Sequence, residues 1–267
     1  MKKMNRFFTM LSIFFILFVL PFATFAAEEK TETEEDEFKV PSHVLNIAKE
    51  NTGRNEVSEH ESVEPSEATK ELLESAAIPI ENDALVQLLN ETTIKPSPIG
   101  IGYRGEIFLG RWPLHYESTD TTVNWEYQPI NRNQLKNSSD VQQEMNYIQQ
   151  ENREVKGMLT AKIANSDIVR NMMLKKAEEK TNLPLSYHAE IGRNTKMPNA
   201  YPVPPNKTGV LDAFAPAVHE KGKVTFGEVF IELKGTKKKI VIKNVTKQEV
   251  GAWIPIQDHV SYSFKLK

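Results

Sequence analysis

The chain has no cysteine among its 267 residues. That absence removes disulfide staples, thiol nucleophiles, thiolate metal sites and lipid attachment through sulfur, so stability rests on burial alone. Charge of one sign is also scarce: 33 basic residues stand against 36 acidic ones, a net charge of −3. A phosphate-binding surface needs a basic excess, which makes nucleic acid a poor partner. Several catalytic patterns are missing as well. There is no Gly-x-Ser-x-Gly elbow, no Ser-x-x-Lys pair and no His-Glu-x-x-His helix. Gly100-Ile-Gly102 runs on into Tyr103, Arg104 and Gly105 without completing a dinucleotide fingerprint. The sequence therefore implies no cofactor and no metal.

Long apolar runs are confined to the N-terminus. Lys2, Lys3 and Arg6 precede an uncharged stretch from Phe7 to Ala27, which Pro21 interrupts. Thr24 and Ala26 supply the small residues that a signal peptidase reads, so a Sec-type signal cleaved after Ala26 is expected. An uncleaved single-pass anchor is the competing reading, because the stretch approaches the roughly 20 residues that cross a bilayer. Either way the protein is expected to be secreted or held on the outer face of the cytoplasmic membrane. Removing residues 1–26 leaves 30 basic against 36 acidic residues, a net charge of −6.

Behind the signal, the acidic stretch Glu28 to Glu37 lacks aromatics and reads as a solvated spacer over residues 27–40. Residues 41–94 read as a short helical region. Its expected helices are Ser42 to Glu50, Glu67 to Ala77 capped by Ser66, and Glu81 to Asn90, with a polar loop from Asn51 to Pro65. Composition turns from helical to extended near Ile99, which places a β-rich α+β domain at residues 95–267.

Within that domain, strands are expected at Ile99 to Tyr116, Thr121 to Gln128, Val155 to Ile163 and Leu185 to Ile191, with a possible strand or helix from Val141 to Gln149. The strongest helix is expected from Asp167 to Thr181. Asn131 to Asp140 reads as a polar connection and Gly192 to Gly222 as a long irregular, proline-bearing stretch. Lys234-Gly-Thr236 separates two β-like runs and predicts a hairpin, and a last run covers Ala252 to Leu266. The fold class is α+β, a mostly antiparallel sheet with at least one packed helix, preceded by the short helical region.

Four groups carry candidate chemistry. Trp112, Tyr116, Trp125 and Tyr127 lie on neighbouring extended segments, where exposed rings would stack on the sugars of a wall polymer and buried rings would pair across a sheet core. Val123, Trp125 and Tyr127 are expected to share one face. Ser186, His188, Glu190, Asp212 and His219 form the one nominal hydrolytic grouping. The neighbours His60-Glu61, His219-Glu220 and Asp258-His259 would help a metal or a proton transfer if folding brought further ligands near. Lys237-Lys-Lys239 at the hairpin would meet anionic polymers or lipid headgroups, or simply keep a strand edge soluble. Tyr201-Pro-Val-Pro-Pro205 reads as a stiff loop.

Three strings carry a family resemblance. They are Ile101-Gly-Tyr-Arg-Gly-Glu-Ile-Phe-Leu-Gly-Arg-Trp-Pro-Leu-His-Tyr116, Gln149-Gln-Glu-Asn-Arg-Glu-Val-Lys-Gly-Met158 and Trp253-Ile-Pro-Ile-Gln257. They resemble the YfkD-like family of exported proteins from Bacillus and its relatives. The resemblance spans the mature chain from about Pro41 and implies a Gram-positive envelope or secreted setting. It transfers no catalytic residue. The resulting expectation is a non-enzymatic envelope protein that binds a wall polymer, a membrane protein or another copy of itself. A hydrolase of wall material and an accessory factor of a membrane protein are the alternatives.

Overall fold

β-Branched and aromatic residues dominate the second half of the chain, and they draw it into long antiparallel strands. A computed structural model describes residues 38–50, 62–92 and 104–267. The signal, the acidic spacer, most of the loop after Asn51 and the expected boundary near residue 95 lie outside the described residues. In chain order the elements are β1 (Val44–Asn46), α1 (Glu67–Glu74), α2 (Asp83–Glu91), β2 (Arg104–Lys136), β3 (Gln143–Ile148), β4 (Arg153–Lys156), β5 (Met158–Leu159), α3 (Ser166–Thr181), β6 (His188–Ile191), β7 (Lys196–Val203), β8 (Thr208–Lys234), β9 (Lys237–Pro255) and β10 (His259–Leu266).

The main sheet runs β1-β10-β8-β9-β5, with β2 on the other side of β8. Two small antiparallel pairs, β3 with β7 and β4 with β6, stand beside it. The 33 residues of β2 would measure roughly 110 Å if straight. Instead β2 bends through five register shifts against β8. Pro113 and Pro129, which have no N–H to donate, sit at two of them.

Alternation along the central strand assigns the faces. Even-numbered Val218, Val224 and Phe226 of β8 enter a core with Val169, Met173 and Ala177 of α3. Odd-numbered Leu211, Ala213 and Ala215 enter a second core with Tyr147 and Tyr262. Odd-numbered Val229 and Ile231 enter a third, with Leu72 of α1 and Leu85 and Leu89 of α2. The odd face is thus covered at both ends, and His219, Lys221 and Lys223 lie in the interval. The even face is covered in the middle, and Glu228, Phe230, Glu232 and Lys234 lie beyond the α3 core.

Each helix follows from its sequence. The Ser66 hydroxyl caps α1 by accepting from the Thr69 amide, and the Asn82 side chain caps α2 by accepting from Ala84 and Leu85. In α3 the buried residues are Val169, Met172, Met173, Leu174, Ala177 and Thr181, and left-handed Asn182 ends the helix before Pro184. Burying Val169, Met173 and Leu174 contributes roughly 1.5–3 kcal/mol each. The expected hairpin is present: Lys234 pairs with Lys237, and Gly235 takes the left-handed backbone of the turn at φ 61°.

Several expectations are corrected. Ser42 to Glu50 is not a helix: it holds β1, which pairs with β10 at Val44↔Ser261. Its apolar spacing fits either element, and the free edge of β10 decides. Asn131 to Asp140 is not wholly a connection, since β2 continues to Lys136. Val155 to Ile163 is split into β4 and β5, which pair with different strands. Gly192 to Gly222 is not irregular, because it contains β7 and the first half of β8. Tyr201-Pro-Val is strand rather than loop, with the Tyr201 ring 5.1 Å from that of Phe264. The two β7 prolines are tolerated because β7 pairs on one side, with β3.

Candidate functional site

The open interval on the odd face of β8 is built around a ring stack. His219 of β8 and Trp253 of β9 are direct partners across the ladder, their centroids 4.2 Å apart and their planes 9° apart. Tyr127 of β2 stacks on the same indole at 5.0 Å and 23°. These separations lie at the close end of aromatic packing. One step along the ladder, Lys221 faces Gly251, against whose buried backbone the Thr160 side chain lies at one side of a gap beside His219. The gap opens into a hollow of about 320 Å³ bounded by Thr119, Thr160, His219, Lys221, Lys223 and Glu249. That volume is at the lower end of the roughly 300–1,000 Å³ of ligand pockets, enough for one ring-sized group.

Local backbone contacts hold the rim. Thr160 follows β5 and docks on Gly251 three times: its amide donates to the Gly251 carbonyl at 2.8 Å, and its hydroxyl accepts from the Gly251 amide at 3.0 Å and donates to the same carbonyl at 3.1 Å. Lys221 reaches Asp120 at 3.5 Å and Lys223 reaches Glu249 at 3.6 Å. Both pairs are long and solvated, so each contributes little to stability and yields readily to a ligand. Hydroxyls, ammonium groups, a carboxylate and the His219 ring thus converge on one gap. Such a set fits a polyhydroxylated ring bearing anionic groups.

Burial first, and Lys221 second, lower the His219 imidazole below its ordinary value of 6.5, while Asp120 and Glu220 oppose the shift. As pH falls, the unfolded chain therefore takes up the proton before the folded one does. The contribution of neutral His219 to stability is full above about 6.5 and is lost progressively below it. The expected result is a His219 ring titration by NMR with its midpoint below 6.5; a midpoint at or above that value contradicts the stacked environment.

Beneath the hollow, Glu220 points the other way. It is 0% exposed and accepts from the Tyr116 hydroxyl at 2.8 Å and the Thr121 hydroxyl at 2.6 Å. Burial, followed by the neighbouring Glu220 charge, pushes the Tyr116 phenol far above its ordinary range, so it remains a donor. Strand alternation therefore separates His219 from Glu220, and the expected local pairing of these two neighbours is corrected.

The expected ring residues disperse. Trp112 packs with the α1 and α2 core and donates its indole N–H to the Leu109 carbonyl at 2.9 Å. Tyr116 is inside the α3 core, and Trp125 packs against that core. Of these four, Tyr127 joins the stack. The expected common face for Val123, Trp125 and Tyr127 is corrected, because the register shift between Asn124 and Gln128 turns Tyr127 towards the other core.

The hydrolytic grouping is not assembled either. Asp212 bonds to Arg132 at 2.5 Å, and His188 pairs with Glu154 at 3.1 Å on the separate β4–β6 pair. Ser186 is buried and accepts from the His188 amide. Asp212 and His219 are seven residues apart on β8, on the order of 20 Å, and face opposite sides. Among the described residues no three His, Asp or Glu side chains group as metal ligands would. A second hollow of about 340 Å³ between α2 and α3 has no aromatic ring in its wall; Lys175 meets Asp83 across it, and Lys176 pairs with Glu179 on α3 itself.

Sequence reasoning missed Trp253, His219 as a stacking group, and Gly251. The available signals were the alternation His219-x-Lys221-x-Lys223, which marks a polar strand face, and Gly251-Ala-Trp253, which sets a gap beside a large ring on that same face.

The fold and its strings place the chain in a family. Residues 41–267 match the model of the YfkD-like protein family, and the chain belongs to it. Over 251 residues it is 48% identical to "Uncharacterized protein YfkD" of Bacillus subtilis (strain 168), which spans 94% of this chain and 95% of that one. Among solved structures, "Crystal structure of Lamprey immune protein" aligns at TM-score 0.26 and 7% identity, covering 61% of this chain and 53% of the other. A likeness that low bears on neither fold nor activity.

Proposed function

We propose that the protein is an exported, non-enzymatic binding protein of a Gram-positive cell envelope, which holds a sugar ring of an anionic wall polymer in the hollow beside His219. The observation that carries this reading is the three-ring stack whose His219 end lines the hollow beside Gly251. Stacked rings hold His219 rigid at little entropic cost, and the hydroxyl and charged rim supplies orientation. The uncharged N-terminal stretch supports export, and the acidic residues behind it suit a spacer between the membrane or point of release and the β-rich domain. The dispersal of Ser186, His188, Glu190, Asp212 and His219 leaves a hydrolytic reading without an assembled set.

Retention on purified wall polymer tests the binding, with the protein taken as its cells process it. Saturable retention at low salt is expected, competed by soluble polymer fragments. Absence of retention on any wall fraction under those conditions removes the reading. An N-terminus at Ala27 on protein recovered outside the cell is the result expected of export.

A further inference from the structure

Among the described residues, the far end of the β2–β8–β9 sheet has one face covered by helices and one without a covering element. Ile231 and Ile240 face α1 and α2, and the Ser75 hydroxyl accepts from the Ile240 amide. On the opposite face Phe108, Phe230 and Val241 form one row across the three strands. Phe108 is 58% exposed and lies 5.0 Å from Phe230, so the two rings form a contiguous apolar patch. Lys243 crosses above Phe230 at 4.5 Å and pairs with Glu106 at 2.7 Å, so its charge is matched.

The end of this row is basic. Arg104, Lys234 and Lys237 form the last row on this face, and Glu106, Glu232 and Lys239 the row before it, with Glu232 bonded to Lys239 at 2.8 Å. This excess runs against the net charge of −3 of the whole chain, so it is local. Lysines alone would suit any polyanion or a soluble strand edge. An exposed phenylalanine beside them gains nothing from a polyanion in water, but gains apolar burial at the boundary between headgroups and acyl chains.

We propose that this hairpin end is a docking surface for an anionic lipid bilayer, with Phe108 entering the acyl boundary and Lys234, Lys237 and Arg104 meeting the headgroups. The surface is distinct from the hollow at Gly251, and would hold that hollow towards the wall side of the membrane.

Vesicle co-sedimentation tests it, using protein as its cells process it and vesicles of phosphatidylglycerol or of phosphatidylcholine. At low salt, partition onto phosphatidylglycerol is expected to exceed that onto phosphatidylcholine at least ten-fold. Phe108→Ser and the double variant Lys234→Gln, Lys237→Gln are each expected to lower it at least three-fold. Because every variant keeps the wild-type N-terminus, the difference belongs to the hairpin end. Phe108→Trp is expected to shift its emission to the blue on phosphatidylglycerol vesicles and to be quenched by brominated acyl chains. Equal partition onto both lipids, or wild-type partition by Phe108→Ser with an unquenched Phe108→Trp, overturns the proposal. So does loss of wall-polymer retention in the lysine variant with vesicle binding unchanged. Gly251→Leu, which closes the hollow, is expected to leave vesicle binding intact, so failure here and failure of the wall-polymer reading are separable.

Discussion

Gly251→Leu is expected to lower affinity for wall polymer at least thirty-fold, about 2 kcal/mol, while the fold survives. A β-carbon at this position meets the Thr160 hydroxyl at 2.8 Å and its methyl at 3.4 Å, and the nearest backbone atom, the Glu220 carbonyl oxygen, at 3.5 Å. The obstructing atom is the Thr160 hydroxyl, which must give up its bonds to the Gly251 backbone to move aside, at a cost of about 1–2 kcal/mol. The rest of a leucine side chain then occupies the gap beside His219 and excludes a ring from it. Binding isotherms paired with thermal melts check this. Unchanged affinity in a folded Gly251→Leu protein removes the hollow from the account.

Gly222→Ala, across the same ladder, is expected to have the opposite profile. Its β-carbon would lie 2.3 Å from the Glu117 carbonyl oxygen and 2.5 Å from the Tyr116 hydroxyl. One of these is backbone in a paired strand. The other is pinned by its bond to Glu220, and Tyr116 is 1% exposed in the α3 core. Relief requires either a strand shift or a broken buried hydrogen bond, and overpacking of this kind costs about 3 kcal/mol. For a unit of this size that lowers the melting temperature by roughly 6–12 °C. A melt within 2 °C of wild type contradicts the packing described under α3. Gly251 therefore reports on the ligand and Gly222 on the fold.

The legible parts of the fold were those with local chemistry. α3 has an apolar stripe and a proline beyond its end, and the hairpin has Lys234-Gly-Thr236; both are set by a few neighbouring residues. β8 was illegible for the opposite reason. It is paired on both sides and buried on both faces over much of its length, so the alternation that marks a strand disappears, and Pro216 then reads as a break. β2 hides its continuity differently: each bulge resets the alternation, so one bent strand resembles two strands and a polar connection.

The candidate site was legible only in part because its rings come from three strands. Sequence neighbours such as Trp125 and Tyr127 suggest a shared surface, but a bulge of a few residues sends them to opposite faces. His219 and Trp253 are remote in sequence and become partners through the β8–β9 register. That register follows from the turn at Gly235 and the shift between Phe226 and Glu228, which no local pattern reveals.

The hollow's role as a sugar site is tested most directly by amide and side-chain NMR during titration with soluble wall-polymer fragments. The account predicts saturable shifts of the Gly251 and Thr160 amides and the His219 ring, with the indole signals of Trp112 and Trp125 unmoved. Binding that shifts Trp112 or Trp125 and leaves Gly251, Thr160 and His219 in place would contradict it.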